Sequence, residues 1–358
     1  MAAGGSSSRR AAALGMGPRR VQSVPMPRLT ENMRAAVFMM ASMAGFALND
    51  ALIKTTAGDL PLFQAIFLRG VVATALIAVL ALRAGALRHR LAGRDGPLVT
   101  LRCIGEIGST FCFLTALFNM PLANASAILQ SVPLAVALGA SVFLREPVGW
   151  RRYLAIGIGF VGVLVIVRPG SEGFNVYALW ALGAVGFIVL RDLTTRRLSP
   201  GIPSLQVTFL AAAAITGAAG LMSLFGEWRP VAPVHAGALT LSAVSLSVGY
   251  LFGVMTMRLG AIGFTQPFRY TLLPWAILFG VLFFGEYPDA WMLAGSAIVI
   301  GTGLFTFYRE QVVARGEARA ALASGTGRGG ATVSPAPPAT PQGSPGRSSG
   351  RDGRRRRS

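Results

Sequence analysis

The chain alternates between long apolar runs and short polar breaks. Ten runs of roughly 18 to 23 residues are each long enough to carry a helix across about 30 Å of hydrocarbon. They fall at 35–54, 62–82, 99–118, 122–144, 151–167, 176–193, 204–225, 236–256, 261–284 and 290–307. The pattern predicts an all-α membrane protein of ten transmembrane helices. Outside these runs, residues 1–32 and 313–358 are rich in Gly, Ser, Ala, Pro and Arg and are expected to be disordered basic tails. The first 30 residues hold no apolar core of a secretory signal.

Loop charges test the span count. With the N-terminus cytoplasmic, the inner loops hold Arg83, Arg88, Arg90 and Arg94, then Arg145, Arg151 and Arg152, then Arg191, Arg196 and Arg197, then Arg258. The outer loops hold only Arg168 and Arg229, with Lys54 at an edge. Four consecutive inner loops obeying the positive-inside rule predict ten spans with both termini in the cytoplasm of an inner (plasma) membrane. Trp150, Trp180, Trp228 and Trp291 fall near span ends, the usual place for interfacial tryptophans.

The second half echoes the first. At an offset of 142, Asp50 and Lys54 match Asp192 and Arg196, and Pro61, Gln64, Phe67 and Leu68 match Pro203, Gln206, Phe209 and Leu210. Further on the offset slips to 140, where F-L-R-E ending at Glu146 matches F-F-G-E ending at Glu286. Each half holds five spans, an odd number, so the halves must enter the membrane in opposite directions. The expected architecture is two inverted five-helix repeats, 33–168 and 176–309, a common plan of secondary transporters.

Composition narrows the function classes. The chain is 53% hydrophobic and 13% charged, against roughly 25% charged in soluble domains. The net charge of +19 sits in the tails and alternate loops, with no aromatic-studded basic domain, so nucleic acid is excluded as a partner. Cys103 and Cys112 share one span on opposite helix sides and cannot pair with each other. No nucleophile elbow, P-loop, metal box or dinucleotide fingerprint occurs, which argues against an enzyme and against any cofactor. The inner loops are too short to hold an ATPase. Transport would be driven by an ion gradient, by exchange or by the solute gradient.

A charge inside a span is costly unless paired or hydrated, so each one is a candidate for function. Asp50, beside Asn49, is placed to pair with Lys54 one turn on. Arg69 either clamps Asp50 or snorkels outward, and its repeat partner is Ala211. Glu106 lies in the third span and either serves the site or snorkels inward. Arg269 sits in Gln266-Pro267-Phe268-Arg269-Tyr270, where Pro267 frees backbone carbonyls. Asp192 reads as solvated surface. Asp50 and Glu106 are the plausible intramembrane proton carriers. Ser109, Thr110, Gln130, Tyr250, Tyr270 and Trp275 complete a polar and aromatic set, and Pro133 and Pro274 predict paired kinks. Phe111, Phe113 and Phe118 read as lipid- or core-facing filler. Gly157, Gly159, Gly162, Gly295, Gly301 and Gly303 permit close packing, either within the bundle or across a homodimer.

The segments G-F-A-L-N-D-A-L-I-K (45–54), F-L-R-G (67–70), the P-L to F-L-x-E-P stretch (133–147) and Q-P-F-R-Y to F-G-E-Y-P-D (266–289) occur in a telling order. Together they resemble the EamA-type, ten-helix branch of the drug/metabolite transporter superfamily. The N-D…K, F-x-R and P-x-R-Y pieces are similar to S-adenosylmethionine uptake carriers, and bacterial riboflavin carriers share a related pattern. The resemblance implies a cavity between the halves and adds weight to Asp50, Arg69, Arg269 and Tyr270, while Glu106 lies outside its pattern. The expectation is a carrier of a small polar metabolite across the inner membrane, coupled to protons or to exchange. An exporter of drugs or amino-acid derivatives is the alternative within the family. A lipid-modifying or flippase-like protein, and a channel, are the alternatives outside it.

Overall fold

The computed structural model describes residues 29–88, 93, 95–145, 149–171, 174–199, 201–259 and 262–323. Ten helical segments in it are long and apolar enough to cross a membrane, running Glu31–Lys54, Leu62–Arg83, Asp95–Asn119, Leu122–Phe143, Trp150–Val167, Tyr177–Arg196, Ser204–Ser223, Pro233–Thr256, Gln266–Phe284 and Ala290–Val313. They are numbered here as spans 1 to 10. The chain is therefore a multi-pass membrane protein, and the apolar runs of the sequence and the helices coincide. Local rules place their ends. Pro61 and Pro203, repeat equivalents, stand with extended backbone just before spans 2 and 7, where a missing N–H costs nothing. Gly285 ends span 9 in the left-handed conformation at φ 65°.

Two boundaries differ from expectation. The first helix begins at Leu29, and the last continues to Ala323, inside segments expected to be tails. The added stretch Gln311–Ala323 is rich in Ala, Arg and Glu, all strong helix formers, so propensity extends the helix past its apolar part. The remaining tail residues and Glu146 lie outside the described residues. Residues up to Gln311 form one compact unit, and the described part of the second unit, from Val312, is the end of that last helix.

The way the spans pair bears out two inverted repeats. The most extensive packing is span 3 on span 6, span 1 on span 8 and span 2 on span 7. If spans 1 to 5 map onto 6 to 10, the first two pairings are images of each other and the third is its own image. Thr74 and Thr216, equivalents 142 residues apart, touch through their hydroxyls at 2.9 Å, which places them on the pseudo-twofold axis. Small residues let the pairs approach. A Cβ on Gly45 would meet the backbone of Ser245 and Gly249 at 3.0–3.2 Å. A Cβ on Gly162 would lie 2.9 Å from the Gly295 carbonyl, so spans 5 and 10 pack backbone to backbone within the bundle.

Spans 4 and 9, also equivalents, are both interrupted. Span 4 consists of helices Leu122–Leu129 and Val132–Phe143, separated by Gln130 and Ser131. Span 9 opens with a 3₁₀ turn, Gln266–Thr271, and becomes α-helical only at Leu272. Both breaks lie just upstream of the prolines expected to cause them. Proline removes its own N–H and clashes with the carbonyl four residues back, so Pro133 disturbs Leu129 and Pro274 disturbs Tyr270.

Candidate functional site

The two interrupted spans meet at their breaks. The Gln130 side chain donates Nε2–H to the Tyr270 carbonyl at 3.1 Å, across a repeat separation of 140 residues. Pro274 cannot give that carbonyl an α-helical donor; a backbone N–H at the end of the 3₁₀ turn reaches it, and Gln130 adds a second donor from the other repeat.

A cavity of about 530 Å³ opens around this junction. Both halves line it. Asn49, Asp50, Arg69, Glu106 and Gln130 come from the first, and Arg191, Tyr250, Arg269 and Tyr270 from the second. Span 10 contributes Gly303, Leu304 and Phe307, and span 9 contributes Gln266, Pro267, Arg269, Tyr270 and Leu272. Apolar walls include Phe46 and Phe113, and Phe46 meets Tyr250 edge-on with ring centres 5.3 Å apart. Phe113 is therefore cavity wall rather than filler. Phe111 packs edge-on against Phe63. Gly303 makes room for the ring of Tyr270. A Cβ at that position would fall 1.8 Å from the Tyr270 hydroxyl, so any larger residue would have to displace that ring.

Two charged clusters face this space. In the first, Arg69 Nη1 donates to Asn49 Oδ1 at 3.2 Å, and Asn49 Nδ2 donates to Asp50 Oδ1 at 2.9 Å. Ser242 Oγ holds Asn49 from span 8 at 2.8 Å. Arg69 is thus tied to Asp50 through an amide rather than snorkelling outward. In the second, Glu106 lies between Arg191 Nη1 at 3.2 Å and Arg102 Nη1 at 3.4 Å, and Arg191 Nε also donates to Asp192 Oδ1 at 2.8 Å. Glu106 is buried and doubly paired, and Asp192 is half-buried and paired, not solvated surface. A smaller chamber of about 70 Å³ beside the first shares Arg69, Glu106 and Tyr250 with it. Arg269 differs from the other cations. It is exposed to the cavity, and among the described residues it has no hydrogen-bond or ion-pair partner.

Two expected site residues lie elsewhere. Lys54 does not pair with Asp50. Its Nζ reaches Glu286 Oε1 at 2.5 Å and the Met120 carbonyl at 2.7 Å, and Glu286 Oε2 accepts from the Leu122 N–H at 2.8 Å. The carboxylate 232 residues away offers direct contact at the end of span 9, whereas Asp50 is engaged with Asn49. Trp275 is past the break in span 9 and stacks on Phe279 with centres 6.0 Å apart, outside the cavity lining. Arg191 is the residue that sequence reasoning missed. The loop-charge pattern absorbs it, yet the offset of 142 pairs Arg191-Asp192 with Asn49-Asp50.

The end of the bundle that carries the connections after spans 1, 3, 5, 7 and 9 is cross-linked by side chains. Besides Lys54 and Glu286, Arg168 pairs with Asp289. Gln64 exchanges two hydrogen bonds with the Arg229 backbone, at 2.7 and 3.0 Å, and the Arg229 side chain donates to the Gly58 carbonyl at 2.9 Å. The three basic residues that fit the loop-charge pattern least, Lys54, Arg168 and Arg229, are all used in this closure.

The chain is similar to known transporters. The EamA-like transporter family matches residues 33–168. The pseudopaline exporter CntI of Pseudomonas aeruginosa is 26% identical over 271 residues, 73% of this chain and 92% of its own length. The S-adenosylmethionine uptake transporter of Rickettsia conorii is 27% identical over 192 residues, 53% of this chain and 65% of its own. The riboflavin transporter of Vibrio cholerae is 27% identical over 205 residues, 55% of this chain and 66% of its own. A solved crystal structure shares the fold, with a TM-score of 0.54 at 18% identity over 78% of this chain and 98% of that one. The first five spans thus carry an EamA-like transporter domain, and the helical body as a whole is similar to transporters of small metabolites.

Proposed function

We propose that the chain is a secondary carrier that moves a small amphoteric metabolite across the inner membrane by alternating access, with both termini in the cytoplasm. The observation that carries this reading is the cavity itself. It sits where two inverted halves meet, inside an otherwise apolar bundle, and presents acidic, basic and aromatic groups together. A purely hydrophobic cargo would need none of the charges, each of which is costly to hold at that depth. The relatives named for S-adenosylmethionine, riboflavin and pseudopaline also favour a polar cargo.

Asp50, Arg69, Gln130, Tyr250, Arg269 and Tyr270 form the binding surface in this reading. Glu106 and Arg191 hold its far wall. Lys54 serves the closure rather than the cargo. The loop charges orient the termini inward, so the closed end is external and the conformation is inward-facing. Inverted repeats supply the exchanged state by the same packing run in reverse. Proton coupling, if used, falls to Asp50, because Glu106 is held between two arginines. Exposed apolar side chains such as Leu82, Phe143, Leu154, Leu224 and Leu282 provide a lipid-facing surface. A Cβ added at Gly157 or Gly301 would meet nothing within 4 Å among the described residues, so both positions stay available to a second copy of the chain.

Reconstitution tests the reading. Proteoliposomes holding the full chain should show saturable counterflow of one member of a panel of labelled S-adenosylmethionine, riboflavin and amino acids. If no solute moves in either direction under any gradient, the carrier reading fails. Movement of fluorescent phospholipid between leaflets instead would favour the flippase alternative.

A further inference from the structure

Counting formal charges along the cavity wall leaves an imbalance. Asp50 and Glu106 face it as carboxylates, whereas Arg69, Arg191 and Arg269 face it as guanidiniums. Two of the three cations are accounted for. Arg191 binds Glu106 and Asp192, and Arg69 is linked to Asp50 through Asn49. Arg269 is the surplus charge. It lines the cavity from a 3₁₀ turn and is exposed. An unpaired cation in a membrane-spanning segment is stabilised when an anion comes to it.

From this geometry we infer that the transported molecule carries a carboxylate and that Arg269 is the residue that reads it. The inference rests on the carrier reading above and narrows its substrate class. A guanidinium presents two parallel N–H donors that match the two oxygens of one carboxylate. One free guanidinium suits a single negative charge. A phosphate dianion would need more, and Asp50 in the same cavity would repel it. Asp50 is better matched to a cationic group on the same molecule, since its Oδ1 takes only the Asn49 amide. Phe46, Phe113 and Tyr250 leave an aromatic and apolar wall for the remainder. The cargo class is therefore an amino acid or an amino-acid derivative bearing both charges, in preference to an uncharged heterocycle such as riboflavin.

Matched probes test this. Counterflow into proteoliposomes would be measured for three pairs that differ only by the carboxylate. These are S-adenosylmethionine and its decarboxylated form, histidine and histamine, and tryptophan and tryptamine, with riboflavin alongside. The wild-type chain should take at least one acid about tenfold better than its amine, and Arg269→Gln should bring that ratio close to one. Arg269→Lys, which keeps the charge but loses the fork, should retain part of the preference. Equal transport of acid and amine by the wild type, preferential uptake of riboflavin, a preference that survives in Arg269→Gln, or equal loss of both members in both variants would each overturn the inference while leaving a carrier in place. Failure of every probe to move would instead remove the carrier reading, and the inference with it.

Discussion

The side chain of Gln130 and the backbone carbonyl of Tyr270 are 3.1 Å apart, and each stands at the break of one of two repeat-related helices. A proline disrupts each helix just beyond, and the bond joins the two disruptions at the centre of the molecule. Gln130→Leu removes that donor and leaves the Tyr270 carbonyl only the backbone N–H at the end of its 3₁₀ turn. A bond of this kind in a membrane bundle contributes about 1–2 kcal/mol at most. The variant should therefore insert and fold, with a melting temperature lowered by a few degrees, and lose transport several-fold. Retention of full activity in reconstituted uptake would mean that the junction is only structural.

Arg69 holds the acidic side of the cavity through Asn49. Arg69→Lys replaces a planar fork with a point charge on a shorter reach, so the contact to Asn49 Oδ1 should be lost. Transport should fall more than tenfold in Arg69→Lys and be abolished in Arg69→Ala, while size-exclusion profiles stay monodisperse. Uptake rates near wild type in both variants would remove Arg69 from the site.

Glu106 is expected to behave differently. Glu106→Gln leaves Arg102 and Arg191 facing a neutral amide in a buried setting, and breaking buried pairs costs about 3–5 kcal/mol. The loss should appear first as reduced yield and a lower melting temperature, whichever solute is present. A stable Glu106→Gln protein that binds but cannot accumulate solute would give Glu106 a coupling role instead.

Gly162 and Gly157 lie in the same helix but face different surroundings. Gly162→Val would drive its side chain into the Gly295 carbonyl, whereas a Cβ at Gly157 would meet nothing within 4 Å among the described residues. Folded protein recovered in detergent should fall sharply for Gly162→Val and stay near wild type for Gly157→Val. The opposite order would contradict the close packing of spans 5 and 10.

These contrasts separate what is legible in the sequence from what is hidden. The ten spans are visible because each must bury its backbone in hydrocarbon, and that demand writes a long apolar run. The breaks in spans 4 and 9 are visible because proline acts locally. The partner of Lys54 is not, since nothing local distinguishes Asp50, four residues away, from Glu286, 232 residues away. Arg191 is hidden for another reason. Its position near a span end lets the loop-charge pattern account for it, while the repeat offset that pairs it with Asn49 is the signal pointing to the cavity. The helical extension to Ala323 escapes because it carries no apolar run and rests on propensity alone.

If the cavity is the transport path, it must open alternately to the two sides of the membrane. Ser109 lines it, and Cys103 and Cys112 are the native cysteines to remove. In a background carrying Cys103→Ala and Cys112→Ala, Ser109→Cys reports access from each face to an impermeant maleimide. Labelling should come mainly from the cytoplasmic face. It should rise several-fold from the external face when Lys54→Met or Glu286→Gln opens the closure, and transported solute should protect on both faces. Labelling confined to one face in every variant and solute condition would contradict alternating access through this cavity.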